Sequence, residues 1–205
     1  GGAYYSTDNG ATWNPLNATI GEINHFALVP GAASRQATTL YAATTGGMYK
    51  STDGGDSWAE KDTGLGAALP GNIAVSPFNA DEAFASITGK GFMRTLDGGL
   101  HWQPTDIPNK HYRAALEADP FSAGRYYFSL GGGQAAPEVY ITEDSGDTYQ
   151  AHPITLPPAF VADGRWGQIH VIAADPLNSG HLLAGLGLDW KYGNNPEGLI
   201  YASTD

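Results

Sequence analysis

Two segments near the C-terminal end of the sequence, residues 156–168 and 188–198, concentrate aromatic side chains beside hydrogen-bonding ones. Trp and Tyr next to Asp, Asn and Arg suit sugar recognition, because an aromatic ring packs on the apolar face of a pyranose while planar polar groups bind its hydroxyls. Together with residues 110–113, these segments supply the expected ligand-binding set: Arg165, Trp166, Asp189, Trp190, Tyr192, Asn194, His111 and Tyr112. The same residue types also suit a protein interface. Alternatively, Trp166 and Trp190 only cap the fold and fill the loops.

Three carboxylates in the same segments, Asp163, Asp189 and Glu197, are the candidates for catalysis if this chain carries any. Hydrolysis of a glycosidic bond uses two carboxyl groups, one as acid and one as base or nucleophile. Other chemistries lack their residues: there is no Cys, and the six His form no His-x-His or His-Glu-x-x-His pair. The sequence therefore predicts no bound metal and no cofactor.

Charge and hydropathy exclude two classes of partner. The 205 residues carry 10 Lys and Arg against 21 Asp and Glu, a net charge of −11, which disfavours binding to nucleic acid phosphates. No run of 18 apolar residues is present, so the sequence predicts no membrane-spanning helix. Few lysines with abundant Gly, Asn and Thr favour an extracellular, periplasmic or cell-surface protein.

An internal repeat must position these residues. The pattern Ser/Thr-x-Asp-x-Gly-x-(Ser/Thr)-Trp recurs with small departures, and its aspartates stand at 8, 53, 97, 144 and 205, in steps of 45, 44, 47 and 61. The aspartates and closing aromatic residues of the repeat are Asp8, Trp13, Asp53, Trp58, Asp97, Trp102, Asp144, Tyr149 and Asp205.

Each period also holds four short β-type runs, which are 72–76, 82–87, 91–95 and 101–105 in the second full unit. We label them A to D. A second motif, Pro-Phe-Asn or a variant of it, marks the A–B turn at 75–79, 118–122 and 174–178. A period near 45 with four strands is typical of a propeller blade. The sequence thus predicts an all-β propeller of about four four-stranded antiparallel blades, with the Asp motif as the C–D hairpin.

The recurring aspartate has a structural explanation. An Asp at the start of a turn accepts hydrogen bonds from amides further along the turn, and Gly supplies the positive φ of a tight corner. The closing Trp or Tyr is expected to bury its ring against the blade. We therefore interpret four of the aspartates as structural residues that stabilise the hairpin and not as catalysts: Asp8, Asp53, Asp97 and Asp144.

These motifs resemble those of the Asp-box (BNR-repeat) β-propeller superfamily, over essentially the whole chain. That group contains sialidases, xyloglucan-active glycoside hydrolases, sortilin-type receptor domains and a photosystem assembly factor, so the resemblance implies a fold more than a function. A sialidase needs several converging arginines, and only five arginines occur in the sequence. In the xyloglucanase-like enzymes a catalytic Asp comes shortly before Gly-Gly-Ala-Tyr. Here that motif is residues 1–4, so the matching Asp would precede residue 1.

Residues 1–205 are predicted to form one propeller domain or segment, with blade steps near 8–53, 53–97, 97–144 and 144–205. The sequence begins and ends within a C strand. We therefore expect a segment of a larger propeller, or one completed by neighbouring chains through self-association of open blade edges. A closed four-blade ring is the alternative.

Strand order separates two faces of such a fold. The A–B turns and Asp motifs share one face, and the B–C loops and D–A crossovers share the other, where both long segments fall. The leading prediction is a secreted or surface-associated binding or scaffold module for a glycan or a protein, acting through that second face. The alternative is a glycoside hydrolase of the xyloglucanase-like type, with catalytic carboxylates partly outside this sequence.

Overall fold

A computed structural model describes residues 3–16, 19–108, 114–129, 137–158, 166–189 and 198–203, with the backbone alone at 166, 167, 188 and 189. The chain forms short antiparallel strands in these parts. They are β1 (Ala3–Tyr5), β2 (Asn14–Leu16), β3 (Ile23–Leu28), β4 (Leu40–Thr44), β5 (Gly47–Ser51), β6 (Ala59–Glu60), β7 (Pro70–Val75), β8 (Ala83–Ile87), β9 (Gly91–Thr95), β10 (Gln103–Pro104), β11 (Leu116–Ala118), β12 (Tyr126–Ser129), β13 (Glu138–Thr142), β14 (Gln150–Pro153), β15 (Trp166–Ala174), β16 (Leu182–Asp189) and β17 (Gly198–Ser203).

The strands pair in chain order within each sheet. Three sheets have four strands, β3–β6, β7–β10 and β11–β14, and they are flanked by the pair β1–β2 and the three-stranded sheet β15–β17. Every pairing is antiparallel. This meander of consecutive blades confirms the predicted β-propeller architecture. We number the sheets blades 1 to 5 in chain order.

Strand bounds differ from the predicted ones mainly in strand D. The prediction placed strand D of blade 3 at 101–105, whereas β10 pairs only at Gln103–Pro104. The backbone amide of Trp102 instead donates a hydrogen bond to the carbonyl of Thr63, in the crossover that follows blade 2. Strand D of blade 3 therefore begins at Gln103, directly after Trp102, whose amide bonds to the preceding crossover.

The core lies between blades and not within one sheet. One cluster joins Tyr41 and Met48 of blade 2 to Ile73 of blade 3, and two further clusters fill the next two junctions. In the second cluster the fully buried ring of Phe84 lies 4.5 Å from that of Tyr126 and 5.2 Å from that of Phe128, measured between centroids. Burial of such rings is the main stabilising contribution of each junction.

Backbone hydrogen bonds define the two faces. The Asp motif of each complete blade donates to the A–B turn of the same blade: Gly54 to Thr38, Gly98 to Asp81, and Ser145 to Gly124. We call this side the Asp-box face. On the opposite side the B–C loops bond to the D–A crossovers, and we call it the loop face. The only helix that spans a full turn in the described ranges is a 3₁₀ segment at Arg35–Ala37, and none there is long and apolar enough to cross a membrane.

Candidate functional site

The loop face is held by hydrogen bonds between each B–C loop and the crossover that enters the same blade. In blade 2, Thr45 donates its amide to the carbonyl of Glu22 at 2.8 Å, and the Thr45 hydroxyl accepts the amide of Glu22 at 3.0 Å. In blade 3 the amide of Thr88 donates to the carbonyl of Leu69. Loop and crossover therefore form one rigid edge, which suits a binding surface.

In blade 5 the strand register pairs two residues of the predicted site. Trp166, the first residue of β15, lies opposite Asp189, the last residue of β16, in the antiparallel register. The crossover that ends at Trp166 and the loop that starts after Asp189 consequently leave the blade at one point. Of the predicted ligand-binding residues, the structure brings these two backbones together.

The other predicted residues of this face lie outside the described residues. They are Asp163, Arg165, Trp190, Tyr192, Asn194, Glu197, His111 and Tyr112. Asp205, the last aspartate of the repeat, lies outside them as well. The ligand-binding and catalytic assignments of these residues stay predictions.

Asparagine side chains join neighbouring blades near the crossovers. Asn24 donates through its side-chain amide to the carbonyl of Pro70 at 2.9 Å, and Asn72 donates to the carbonyl of Ala114 at 2.7 Å. Each residue thus binds the start of strand A in the next blade. Beside them, burial lowers the pKa of His25, which keeps the imidazole neutral near pH 7.

Each described aspartate of the repeat closes its own hairpin. Asp53 accepts hydrogen bonds from the amide of Ser57 at 2.8 Å and from the hydroxyls of Ser57 and Ser51 at 2.5 and 2.8 Å. Asp8 and Asp144 have the same partners in their hairpins, and in the third hairpin His101 replaces the second Ser or Thr against Asp97. The three hydrogen bonds to each carboxylate stabilise its charged form.

These hydrogen bonds lower the pKa of Asp8, Asp53, Asp97 and Asp144 to about 2. The largest contribution comes from the residue four positions after each aspartate, through its side chain or its amide. A carboxylate ionised at every pH above about 3 cannot donate a proton near neutrality, so these four residues are unsuited to general acid catalysis.

The closing aromatic residues are not all buried. Trp102 is 4% exposed, and its indole N–H donates to the carbonyl of Lys61 at 2.7 Å. Trp13, expected to bury its ring against the blade, is 63% exposed. The difference depends on the neighbouring segment. Trp102 packs on the crossover of the preceding blade, whereas in the described part of the chain no such crossover contacts Trp13.

A cleft of about 940 Å³ lies between blades 4 and 5. Its lining includes Ile141 and Ile154 on one side and Leu182 and Tyr201 on the other. The cleft therefore lies at a blade junction, between the outer strands of blade 4 and strands B and C of blade 5.

Glu117 on β11 was not singled out from the sequence. When the blades are aligned by strand register, Glu117 takes the position of Ala27 in blade 2 and of Ala74 in blade 3. Both alanines are buried on the side that faces the following blade. Burial raises the pKa of Glu117 to about 7, and a hydrogen bond from the backbone of Ala174 only partly offsets it. The available sequence signal was a glutamate at a strand position where the neighbouring repeats have alanine.

Within the described residues no group of three or more His, Cys, Asp or Glu side chains could hold a metal ion. The four described aspartates of the repeat lie in the hairpins of the Asp-box face, opposite the loop face.

Comparison with known proteins identifies the repeat and the fold. The family model of the BNR/Asp-box repeat matches residues 4–15, which contain the first hairpin. A probable oligoxyloglucan-reducing end-specific xyloglucanase from Neosartorya fischeri is 30% identical over 146 residues, which is 64% of this chain and 18% of that protein. The chain thus spans less than a fifth of the length of this curated relative.

Solved structures show the same architecture. The GH74 enzyme of Niastella koreensis superposes with a TM-score of 0.66 at 22% identity, over 98% of this chain and 32% of the enzyme. YCF48 from Cyanidioschyzon merolae superposes with a TM-score of 0.58 at 15% identity, over 92% of this chain and 59% of its own. At these identities the likeness is one of fold. The chain thus has the β-propeller fold, and its first Asp hairpin matches the BNR/Asp-box repeat at residues 4–15.

Proposed function

We propose that this chain is a carbohydrate-binding Asp-box propeller segment whose loop face recognises a β-glucan of the xyloglucan type. The pairing of Trp166 with Asp189 carries the proposal, because it starts both long aromatic segments from one point of blade 5. The similarity to a probable xyloglucanase supports the choice of polysaccharide. A plant-type polysaccharide is met outside the cell, which agrees with the predicted extracellular location.

The chemistry of recognition follows from residue types. Trp166, Trp190 and Tyr192 would stack on sugar rings, while Arg165, Asn194 and the carboxylate of Asp189 would bind hydroxyl groups. Rigid loop–crossover edges such as Thr45 with Glu22 lower the entropy lost on binding.

Binding is tested by isothermal titration of the chain with xyloglucan oligosaccharides, with cello-oligosaccharides and mannan as comparisons. We expect the W166A/W190A double variant to lose at least about tenfold in affinity, since stacking on two rings is removed. W13A is the matched control, because Trp13 is exposed on the Asp-box hairpin of blade 1. Equal affinities of the double variant and the wild type would overturn the proposal.

Glycoside hydrolysis is the second candidate, favoured by the enzymatic relatives. It requires an acid and a base on opposite sides of the glycosidic bond, and the candidates remain Asp163, Asp189 and Glu197. A reducing-sugar assay with xyloglucan decides: release of sugar by the wild type, lost in D163N, D189N or E197Q, establishes hydrolysis. Binding without release of sugar restricts the chain to recognition.

A further inference from the structure

The A–B turns display one large apolar side chain in each of three consecutive blades. Phe78, Phe121 and Leu177 occupy the same place in their turns and are 53%, 43% and 84% exposed. Phe78 and Phe121 lie on the Asp-box face, because their A–B turns bond to the Asp hairpins there, and Leu177 lies in the corresponding turn between β15 and β16. This face is opposite the one that carries the proposed glycan site.

The geometry of the turn does not require an apolar residue at this place. Each amide donates to a side chain two residues earlier: Phe78 to the Ser76 hydroxyl at 3.2 Å, Phe121 to the Asp119 carboxylate at 2.7 Å, and Leu177 to the Asp175 carboxylate at 2.8 Å. These bonds fix the backbone and leave the side chain pointing away from it. A polar residue would satisfy the same turn, so the apolar side chain at this place is not required by the turn itself.

Charges around these turns are unevenly exposed. Four close ion pairs on the face have N–O distances of 2.6–2.9 Å: Arg35–Asp56, Lys50–Asp81, Arg94–Asp147 and Arg125–Glu143. In each of these four pairs the base is largely covered, with 10–28% of its side chain exposed, while 53–71% of the acidic side chain is exposed. Arg125 also lies 3.8 Å from the buried carboxylate of Asp119. An approaching molecule therefore meets carboxylates before it meets cations.

Within the described residues, three of the hairpin aspartates form no ion pair and add negative charge to this face. Asp8, Asp53 and Asp144 are held by hydroxyl and amide donors, which are neutral, so each keeps a full negative charge. Such a surface attracts cations and repels anionic membranes and nucleic acids.

We infer that the Asp-box face docks a cationic, amphipathic segment of another protein, whose apolar side chains contact Phe78, Phe121 and Leu177 while its Lys and Arg side chains meet the exposed carboxylates. Apolar anchors within a charged rim are the usual arrangement of a protein interface. Charge complementarity selects a basic partner over an acidic one and accelerates its association.

The test measures fluorescence anisotropy of three labelled synthetic peptides of equal length, in which Lys alternates with Leu, Lys with Ser, or Glu with Leu. Wild type is expected to bind the Lys–Leu peptide, more weakly as salt is raised, and to bind the other two at least about tenfold more weakly. The F78S/F121S/L177S variant is expected to lose at least about tenfold in affinity for the Lys–Leu peptide.

The control variant is Y4S/L69S/I200S, which removes three exposed apolar side chains that lie outside the A–B turns. It should bind the Lys–Leu peptide as wild type does, and thermal unfolding must show both variants folded. Equal binding of the Lys–Ser peptide would reduce the interaction to bulk electrostatics and overturn the inference. Unchanged binding by the A–B turn variant, tight binding of the Glu–Leu peptide, or adsorption to anionic lipid vesicles would overturn it as well.

Discussion

Replacing Glu117 by Gln should change how the stability of the propeller depends on pH. The Glu117 side chain is half-buried on the face of blade 4 that packs against blade 5. The residues at the same position of blades 2 and 3 are Ala27 and Ala74. Burial favours the protonated acid and raises its pKa from 4.5 to about 7. The folded state therefore holds this proton more tightly than the unfolded chain does. The resulting stability is complete below pH 4.5 and is lost as pH rises through 7.

The size of the effect follows from that shift. At about 1.4 kcal/mol for each unit of pKa, the rise from 4.5 to about 7 corresponds to about 3 kcal/mol for a fully buried carboxyl group. Because the side chain is only half-buried, solvent screening reduces the expected value to about 1–2 kcal/mol. Glutamine is neutral at every pH and keeps an oxygen that can accept the hydrogen bond from the backbone of Ala174.

Urea unfolding at pH 5 and at pH 8.5 measures the prediction. E117Q and wild type should unfold with similar free energies at pH 5, whereas at pH 8.5 the variant should be more stable by about 1–2 kcal/mol. E22Q, at an exposed glutamate, should show no such difference. If E117Q and wild type lose stability in parallel between the two pH values, Glu117 is not the buried acid described above.

Three further changes test the packing and the hairpins. F84A removes a fully buried ring and should cost about 3–5 kcal/mol in the free energy of unfolding measured with urea. W102F, which keeps most of the ring but loses the hydrogen bond to Lys61, should cost about 1 kcal/mol more than W13F at the exposed position. D53N should be less stable than wild type at neutral pH, and the gap should narrow as acid protonates Asp53 between pH 3.8 and about 2; a constant gap in acid unfolding curves would contradict the hydrogen-bonding explanation.

The repeat made the fold predictable from the sequence. Asp and Gly at fixed spacing specify a tight hairpin by local hydrogen bonds, so hairpins such as that of Asp53 require no knowledge of distant residues. The alternation of turns and short apolar runs then gave the strand order. Where strand D begins could not be obtained in this way, because Trp102 bonds to Thr63 in another blade.

The surface was less predictable than the fold. Trp13 and Trp102 have the same place in the motif, yet one is exposed and the other buried, since burial depends on the neighbouring blade. The unusual acid at Glu117 became evident only when strand register aligned it with alanines. Of the residues predicted to bind ligand, Trp166 and Asp189 lie in the described part of the chain, where their backbones pair.

The docking of Trp102 on the crossover after blade 2 has a consequence for folding. Its indole and its amide bond to Lys61 and Thr63, so the hairpin of blade 3 is complete only when the preceding segment is in place. The cooperative folding unit therefore extends across the boundary between two blades, so local opening of the crossover at Lys61 and Thr63 should also loosen the hairpin of blade 3.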